Sequence, residues 1–343
     1  PARLDSAWRQ GHIFRLNHMS KLLEVNNLKK HFPIKGGLFR RVVGQLKAVD
    51  DVSFSIEKGQ TFGLVGESGC GKSTLGRAIL RLHEPTGGQV LLDNRDITAL
   101  DRAALTSARR DMQIIFQDPY ASLSPRRTIL QTLLEPLETH DIGTPQSRRE
   151  KVEALLDIVG MRSNVLHRYP HEFSGGQRQR IGIARALTLD PKFIVADEAV
   201  SALDVSVQSQ VLNLIAKLQD EMGIAFLFIS HDLAVVQHIS NQVGVMYLGQ
   251  LVEMTSAADL YREPKHPYTR ALMSAIPVPD PRTKSKRIIL QGDVPSPLNP
   301  PSGCPFRNRC PEAMEQCAEA KPRFANINDA DKAHWVACHL YQG

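Results

Sequence analysis

The sequence predicts an α/β protein with a largely parallel central sheet and a small cysteine-containing C-terminal extension. Three observations favour this fold. Apolar runs at residues 61–65, 193–196 and 224–229 are typical of buried strands. Helical patterns alternate with these runs, and strands that alternate with helices usually pair in parallel. After residue 262 the prolines become too dense for a regular helix or an interior strand, so a domain boundary is expected there.

The helices are predicted from the spacing of their apolar residues. One follows the first strand and places Ile79 and Leu82 on the same face. A second covers residues 149–160, and a third spans residues 207–222 and ends at Gly223, because glycine is the common residue just past a helix.

Length and composition restrict the class of protein. A chain of 343 residues suits one large domain with an appendage. No stretch approaches the roughly 18 consecutive apolar residues needed to cross a bilayer. Pro1 is not an initiator and Met19 begins a segment that suits a protein start, so residues 1–18 are predicted to be an N-terminal extension.

The positive charge is concentrated near one end. Residues 1–47 contain ten lysines and arginines against Asp5 and Glu24, whereas the formal charge of the whole chain is +6. This pattern suits a solvated basic arm, or contact with anionic lipid headgroups or with an acidic partner. It does not imply nucleic acid.

A phosphate-binding loop is predicted between the first strand and the helix that follows. Residues 66–74 (GESGCGKST) match G-x-x-x-x-G-K-[ST] in the strand–loop–helix context that this motif requires. Lys72 is expected to reach the β- and γ-phosphates of ATP, and the Ser73 hydroxyl to bind Mg²⁺. The candidate nucleotide-binding residues of the loop are Gly66, Ser68, Gly69, Gly71, Lys72, Ser73 and Thr74.

Two acidic residues end the strand at 193–196. Asp197 is expected to hold Mg²⁺ through water, and Glu198 to polarise the attacking water. By itself such a pair would suit a solvated strand end. The phosphate loop more than a hundred residues upstream favours the catalytic interpretation.

A second candidate anion site consists of Ser174, Gly175, Gly176 and Gln177, which follow Phe173 at the start of a helix. One subunit needs a single such cradle for one nucleotide, so the second implies a second subunit. The segment resembles the signature motif of ABC ATPases, usually written LSGGQ, with phenylalanine in place of leucine.

Other landmarks of that family occur in the expected order. They are Gln117 in IIFQDP, Asp204 in SALD and His231 in SHD. The resemblance implies a nucleotide-binding domain at 19–262 with a RecA-like mixed sheet. Within this domain it implies a helical subdomain at about 118–172. It also implies a head-to-tail ATPase dimer in which each signature closes on the partner's nucleotide.

The resemblance assigns roles to individual residues. Gln117 would sense the γ-phosphate and metal, His231 would hold the γ-phosphate or the attacking water, and Asp204 would communicate across the dimer. Phe32 matches the position whose ring stacks on adenine; a strand-core aromatic is the alternative, and Phe39 is the second candidate.

The C-terminal part, residues 263–343, narrows the resemblance. Residues 265–269 (KHPYT) and 292–310 (GDVPSPLNPPSGCPFRNRC) resemble the extension found in ATPases of bacterial oligopeptide and dipeptide importers. Relatives of these importers handle nickel, glutathione or opines. The resemblance implies two membrane-spanning permease subunits, a second ATPase subunit, an extracytoplasmic solute-binding protein, and a peripheral position on the cytoplasmic face of the bacterial inner membrane.

Four cysteines cluster in this extension: Cys304, Cys310, Cys317 and Cys338. Their spacing lacks the close C-x2-4-C pair usual in zinc sites, and disulfides are disfavoured for a domain that consumes cytosolic ATP. Four cysteines in a loop-rich segment suit a [4Fe–4S] cluster, which the resembled importers can carry; zinc or no metal are the alternatives. The extension and the ATP site are expected to act independently.

Two other functions agree less well with the sequence. A soluble ABC ATPase acting on ribosomes or DNA is disfavoured, because the chain has one set of motifs and no heptad run. An exporter ATPase is disfavoured only by the importer-like extension.

Overall fold

The computed structural model describes residues 21–36, 41–276, 287–328 and 332–342. The predicted extension at residues 1–18 and the second adenine candidate, Phe39, lie outside these ranges. None of the helices within them is long and apolar enough to cross a membrane.

The described residues contain both strands and helices. The strands are β1 (Lys21–Gly36), β2 (Arg41–Glu57), β3 (Thr61–Val65), β4 (Gly87–Leu92), β5 (Arg95–Asp96), β6 (Met112–Ile115), β7 (Phe193–Asp197), β8 (Ala225–Ile229), β9 (Gln242–Tyr247), β10 (Gln250–Ser256), β11 (Ala325–Asn326) and β12 (Trp335–Val336). The helices are α1 (Lys72–Ile79), α2 (Arg102–Ala108), α3 (Ile129–Thr139), α4 (Pro145–Ile158), α5 (Gly175–Leu187), α6 (Val205–Met222), α7 (Leu233–Ile239), α8 (Ala257–Arg262), α9 (Pro267–Ser274) and α10 (Gln316–Glu319).

The main sheet has eight strands in the order β11-β12-β10-β9-β3-β8-β7-β6. Its strands from β9 to β6 pair in parallel, which confirms the predicted parallel α/β core, and those from β9 to β11 pair antiparallel. A second, antiparallel sheet, β2-β1-β4-β5, was not predicted. The strands predicted at 61–65, 193–196 and 224–229 correspond to β3, β7 and β8.

The predicted helices are present with shifted limits. Helix α4 begins at Pro145, before the predicted residue 149, because Thr144 caps it and proline suits the first helical position. Helix α6 ends at Gly223, which has a φ of 65°. The prediction that Leu82 belongs to the buried face of α1 was wrong: α1 ends at Ile79 and Leu82 is 46% exposed.

The segment between β6 and α5 contains helices α3 and α4. Their inner faces bury Leu133, Leu137, Val152 and Leu156 completely, in the same apolar core as Ile181 of α5. This packing fixes the start of α5, which carries the signature residues.

The C-terminal region packs on the main sheet. Within the proline-rich part, α9 is a regular helix from Pro267, so the prediction of no helix beyond 262 was wrong there. Strand β12 pairs with β10, and Phe306, 1% exposed, contacts Tyr247 and Tyr268 at ring distances of 5.3 and 5.4 Å. The described part of the extension therefore shares the core of the sheet.

A buried carboxylate joins the C-terminal region to β10. Glu253 of β10 is 0% exposed. It accepts hydrogen bonds from the backbone N–H groups of Lys265 and His266 at 2.7 and 2.9 Å, and its Oε1 lies 2.7 Å from Nε2 of His334. A carboxylate so deeply buried requires such partners, and here they join β10 to both parts of the C-terminal region.

Candidate active site

The phosphate loop joins β3 to α1 and depends on glycine. Gly66 and Gly71 have φ values of 151° and 108°, which L-residues rarely adopt. A Cβ at Gly66 would lie 2.2 Å from the carbonyl oxygen of Met246, and one at Gly71 would lie 2.0 Å from that of Ala48. The loop is thus pressed against two neighbouring backbone segments and ends at the N-terminus of α1.

Lys72 supplies the positive charge of the loop. Lys72 is only 3% exposed. Its Nζ donates hydrogen bonds to the carbonyl oxygens of Gly66 at 2.8 Å and Glu67 at 3.0 Å. The ammonium group is therefore held inside the curve of the loop, where a phosphate group would bind.

Asp197 lies beside the loop at the end of β7. Its Oδ1 accepts a hydrogen bond from the Ser73 hydroxyl at 2.6 Å, and its Oδ2 lies 3.5 Å from Nη2 of Arg77. Asp197 is 1% exposed. Two of the three predicted magnesium ligands, Ser73 and Asp197, therefore meet, and their oxygens are of the kind that Mg²⁺ prefers.

Glu198 meets the other two predicted catalytic residues. Nε2 of Gln117 donates to its Oε2 at 2.7 Å, and Nδ1 of His231 lies 3.4 Å from the same oxygen. Glu198 has a φ of 48°, an uncommon value for a residue other than glycine, and its N–H donates to the carbonyl of Ile229 at 3.0 Å. This bond to β8 fixes the backbone that directs the carboxylate toward Gln117 and His231.

A cleft of about 320 Å³ extends from the phosphate loop. The loop residues 68–74, Gln117 and Glu198 line it, together with Phe32. Residues that the sequence reasoning missed also line it: Leu46, Lys47, Ala48, Leu248, Gly249 and Pro297. These residues come from distant parts of the chain and carry no local signal.

Phe32 lies at this cleft and is partly buried. Its ring packs edge-on against His83 at 5.6 Å, and the ammonium group of Lys30 lies 4.7 Å from its centre. The ring is absent from both apolar core clusters. The geometry thus favours an exposed aromatic face at the cleft over a strand-core role.

The signature residues form a separate group. Ser174 caps α5: its hydroxyl accepts from the N–H of Gln177 at 3.4 Å, and the side chain of Gln177 accepts from the N–H of Ser174 at 3.0 Å. A Cβ at Gly176 would lie 2.2 Å from the side chain of Val207, so glycine allows α5 and α6 to approach. Among the described residues that line the cleft, none comes from residues 174–177.

Asp204 caps α6 within its own chain. Its carboxylate accepts from the N–H of Val207 at 2.9 Å and from the hydroxyl of Ser206 at 2.8 Å. These hydrogen bonds lower the pKa of Asp204. The predicted role across a dimer stays a prediction.

The C-terminal extension touches the phosphate loop directly. Nη1 and Nη2 of Arg309 donate to the two carboxylate oxygens of Glu67 at 2.7 and 3.0 Å, and the hydroxyl of Tyr268 accepts from the N–H of Glu67 at 2.9 Å. The extension and the ATP site are therefore in direct contact, and their independent action stays a prediction. The contact joins residues 242 positions apart, which no local pattern predicts.

All five cysteines lie within the described residues, and each is a free thiol. Burial, together with the charges of neighbouring cysteines, raises the pKa of Cys310 and Cys338 to about 11. Cys304 donates its backbone N–H to the carbonyl of Cys317 at 2.8 Å. The four C-terminal cysteines therefore lie near one another, although no three His, Cys, Asp or Glu residues in the described ranges are arranged to hold a metal ion.

The loop, its lysine and the adjacent carboxylates define a phosphate-loop ATPase. Residues 49–201 match the ABC transporter family, and residues 252–317 match the family described as "Oligopeptide/dipeptide transporter, C-terminal region". The chain belongs to the ATP-binding proteins of the ABC transporter family, which confirms the resemblance that the motifs suggested and identifies it as an ATPase.

The curated relatives cover almost the whole chain. The oligopeptide transport ATP-binding protein AppF of Bacillus subtilis is 56% identical over 93% of this chain and 97% of the relative. A putative peptide import ATP-binding protein of Brucella ovis is 53% identical over 92% of this chain and 97% of the relative.

Solved structures show the same core fold. A dimeric post-hydrolysis state of the ATP-binding cassette MJ0796 with ADP and Pi has a TM-score of 0.61 and 29% identity, over 68% of this chain and 98% of that one. CbiO1 of Clostridium perfringens, part of the transporter complex cbiONQ, has a TM-score of 0.60 and 25% identity, over 71% of this chain and 91% of that one.

Proposed function

We propose that this chain is the ATP-hydrolysing subunit of an importer for dipeptides, oligopeptides or related small solutes. The observation that carries the proposal is the match of residues 252–317 to the oligopeptide/dipeptide transporter region. Relatives that are named for peptide transport match this chain over nearly their full length, which adds support. In this proposal the chain consists of a nucleotide-binding domain at 19–262 and a C-terminal extension at 263–343.

The nucleotide would lie along the cleft. The backbone amides of the phosphate loop and the ammonium group of Lys72 would hold the β- and γ-phosphates, and Phe32 would stack on adenine. Ser73, Asp197 and Gln117 would hold Mg²⁺, which neutralises charge on the phosphates. Support comes from the 2.6 Å bond between Ser73 and Asp197 and from the position of Phe32 at the cleft.

Glu198 would orient and polarise the attacking water, with His231 beside it to hold the γ-phosphate or that water. The carboxylate of Glu198 accepts from Gln117 at 2.7 Å and faces His231 at 3.4 Å, so all three residues can act on one reacting group. Such positioning and charge stabilisation account for most catalysis in phosphoryl transfer.

A second ATPase subunit would complete each site. Ser174, Gly175, Gly176 and Gln177 present a helix N-terminus, yet they do not line the cleft of their own chain. They would close on the nucleotide of the partner subunit, with Asp204 nearby in the interface. ATP would stabilise the closed dimer and hydrolysis would reopen it.

Two membrane-spanning permeases would bind this subunit on the cytoplasmic face of the bacterial inner membrane, and a solute-binding protein would act with them on the other side. The segment after Gln117 would contact a permease. Tyr120 in this segment is 63% exposed, as a docking aromatic requires.

The four cysteines of the extension would hold a [4Fe–4S] cluster. The support is the Cys₄ donor set and the proximity of the four thiols, not a preformed metal site. Anaerobically purified protein should then be brown, absorb near roughly 400 nm, and contain about four irons per chain. Colourless protein with one zinc, or without metal, would exclude the cluster.

Reconstitution in proteoliposomes tests the transport function. The chain, its partner ATPase and the two permeases should take up a labelled peptide delivered by the binding protein, and uptake should stop without ATP. Co-purification with ribosomes or DNA, or ATP-driven movement in the outward direction, would contradict the proposal.

A further inference from the structure

Arg309 forms a paired contact with the second residue of the phosphate loop. Two of its nitrogens bind the two carboxylate oxygens of Glu67, at 2.7 and 3.0 Å. The side chain of Arg309 is 8% exposed and that of Glu67 is 27% exposed. A bidentate, largely buried pair of this kind is stronger and more directional than a surface salt bridge.

Glu67 is also fastened through its backbone. Its N–H donates to the hydroxyl of Tyr268, which is 0% exposed, and its carbonyl accepts from Nζ of Lys72 at 3.0 Å. Tyr268 packs against Tyr247 and Phe306. One loop residue therefore links the C-terminal region to the lysine expected to bind phosphate.

The negative charge of Glu67 makes this link important for phosphate binding. The loop must receive a polyanionic triphosphate, and a carboxylate in the same loop would repel it. Pairing with Arg309 neutralises that carboxylate, while Lys72 keeps its own contacts to the loop carbonyls. Partial burial of the pair increases the size of this effect.

We infer that Arg309 of the C-terminal extension is a positioning residue for ATP binding, which acts by neutralising and fastening Glu67. Arg309 itself does not line the nucleotide cleft. The inference rests on the proposed nucleotide site and adds to it a determinant of affinity outside the nucleotide-binding domain.

A charge-rescue cycle tests this inference by titrating Mg-ATP into the full-length chain in a calorimeter. Arg309→Gln should weaken binding about tenfold, because it leaves Glu67 unpaired. The double variant Glu67→Gln with Arg309→Gln should return to within about threefold of wild type, since the repelling carboxylate is gone. Arg309→Lys should fall between, because lysine keeps the charge but loses the paired geometry.

Arg307→Gln is the matched control. Arg307 lies two residues away in the same segment and bonds to Ser302 and Ala318, all within the extension. Its loss should leave Mg-ATP binding unchanged, whereas a general loosening of the extension would make Arg307→Gln resemble Arg309→Gln.

The outcomes separate the inference from the proposed function. A wild-type chain that binds no Mg-ATP would refute the nucleotide site itself. Wild-type affinity in Arg309→Gln would overturn the inference alone. So would a double variant as weak as Arg309→Gln, or an Arg307→Gln variant weakened to the same degree, because both results would indicate structural damage without charge rescue.

Discussion

The phosphate loop and the signature segment are both glycine-containing starts of helices, but they are stabilised differently. The signature relies on a local capping box between Ser174 and Gln177. The phosphate loop contacts distant groups: it lies close to the carbonyls of Met246 and Ala48, and the side chain of Arg309 binds Glu67. The hydrogen bonds at the N-terminus of α5 are thus local, whereas the phosphate loop contacts residues far away in the chain.

The chemical groups differ as well. Lys72, Asp197 and Glu198 surround the phosphate loop within one chain. The signature presents backbone N–H groups and the side chains of a serine and a glutamine. Under the proposed function, we therefore expect nucleotide binding and hydrolysis on the loop side of each chain, and closure on a partner's nucleotide on the signature side.

The largest effect is expected from Glu198→Gln, which removes the group that polarises water. Turnover should fall about 10²- to 10³-fold while Mg-ATP binding is retained. Steady-state hydrolysis in the assembled transporter measures this change. Glu153→Gln is the control, because Glu153 pairs with Arg149 on the surface of α4 and its loss should leave turnover unchanged.

For Glu198→Gln, wild-type hydrolysis would show that Glu198 does not polarise the attacking water. If the native dimer contains a different ATPase, the same substitution must be introduced there before residual activity is interpreted.

Lys72→Ala should give the next largest effect, on binding itself. It removes a charged donor from the centre of the loop, so the affinity of the isolated chain for Mg-ATP should fall about 10- to 100-fold. Calorimetry measures this affinity. Unchanged affinity would show that the nucleotide does not depend on this loop.

Local sequence explained the loop, the strand ends and the signature, because each depends on residues close together in the chain. The sheet β2-β1-β4-β5 was missed, since pairs such as Val25 with Phe54 join bulged strands without clean alternation. The prolines of the extension indicated a loop-rich segment, yet its Phe306 and Val336 are buried. The contact of Arg309 with Glu67 spans 242 residues, so only the folded chain reveals it.

Substitution of Ser174 tests the other side of the comparison. Ser174→Arg and Ser174→Asp should both spare Mg-ATP binding to the isolated chain and weaken ATP-driven dimer closure at least tenfold. Aspartate is also a good N-cap, so the Asp variant should keep α5 stable while it repels the partner's phosphate. Light scattering of the Glu198→Gln chain with ATP and its partner ATPase measures closure.

Thr144→Asp is the matched control for this prediction. Thr144 caps α4 with the same capping-box geometry, away from the signature, so its replacement should leave closure unchanged. Loss of Mg-ATP binding in an isolated Ser174 variant would instead indicate that the signature acts on the nucleotide of its own chain.

The smallest effect is expected from Cys310→Ser, at the point where the extension meets the phosphate loop. Cys310 directly follows Arg309, so loosening of the cysteine segment should partly release the contact with Glu67. Mg-ATP binding should then weaken by about two- to threefold, less than for Arg309→Gln, because the arginine is still present.

Limited proteolysis should show faster cleavage within residues 302–342, and calorimetry on the same sample should show the change in affinity. Dimer closure through Ser174 should be unaffected once ATP is saturating, since the capping box of α5 is formed between Ser174 and Gln177. Faster cleavage with wild-type affinity would show that the phosphate loop is as self-contained as the signature, whereas impaired closure at saturating ATP would show that the extension supports both sides of the site.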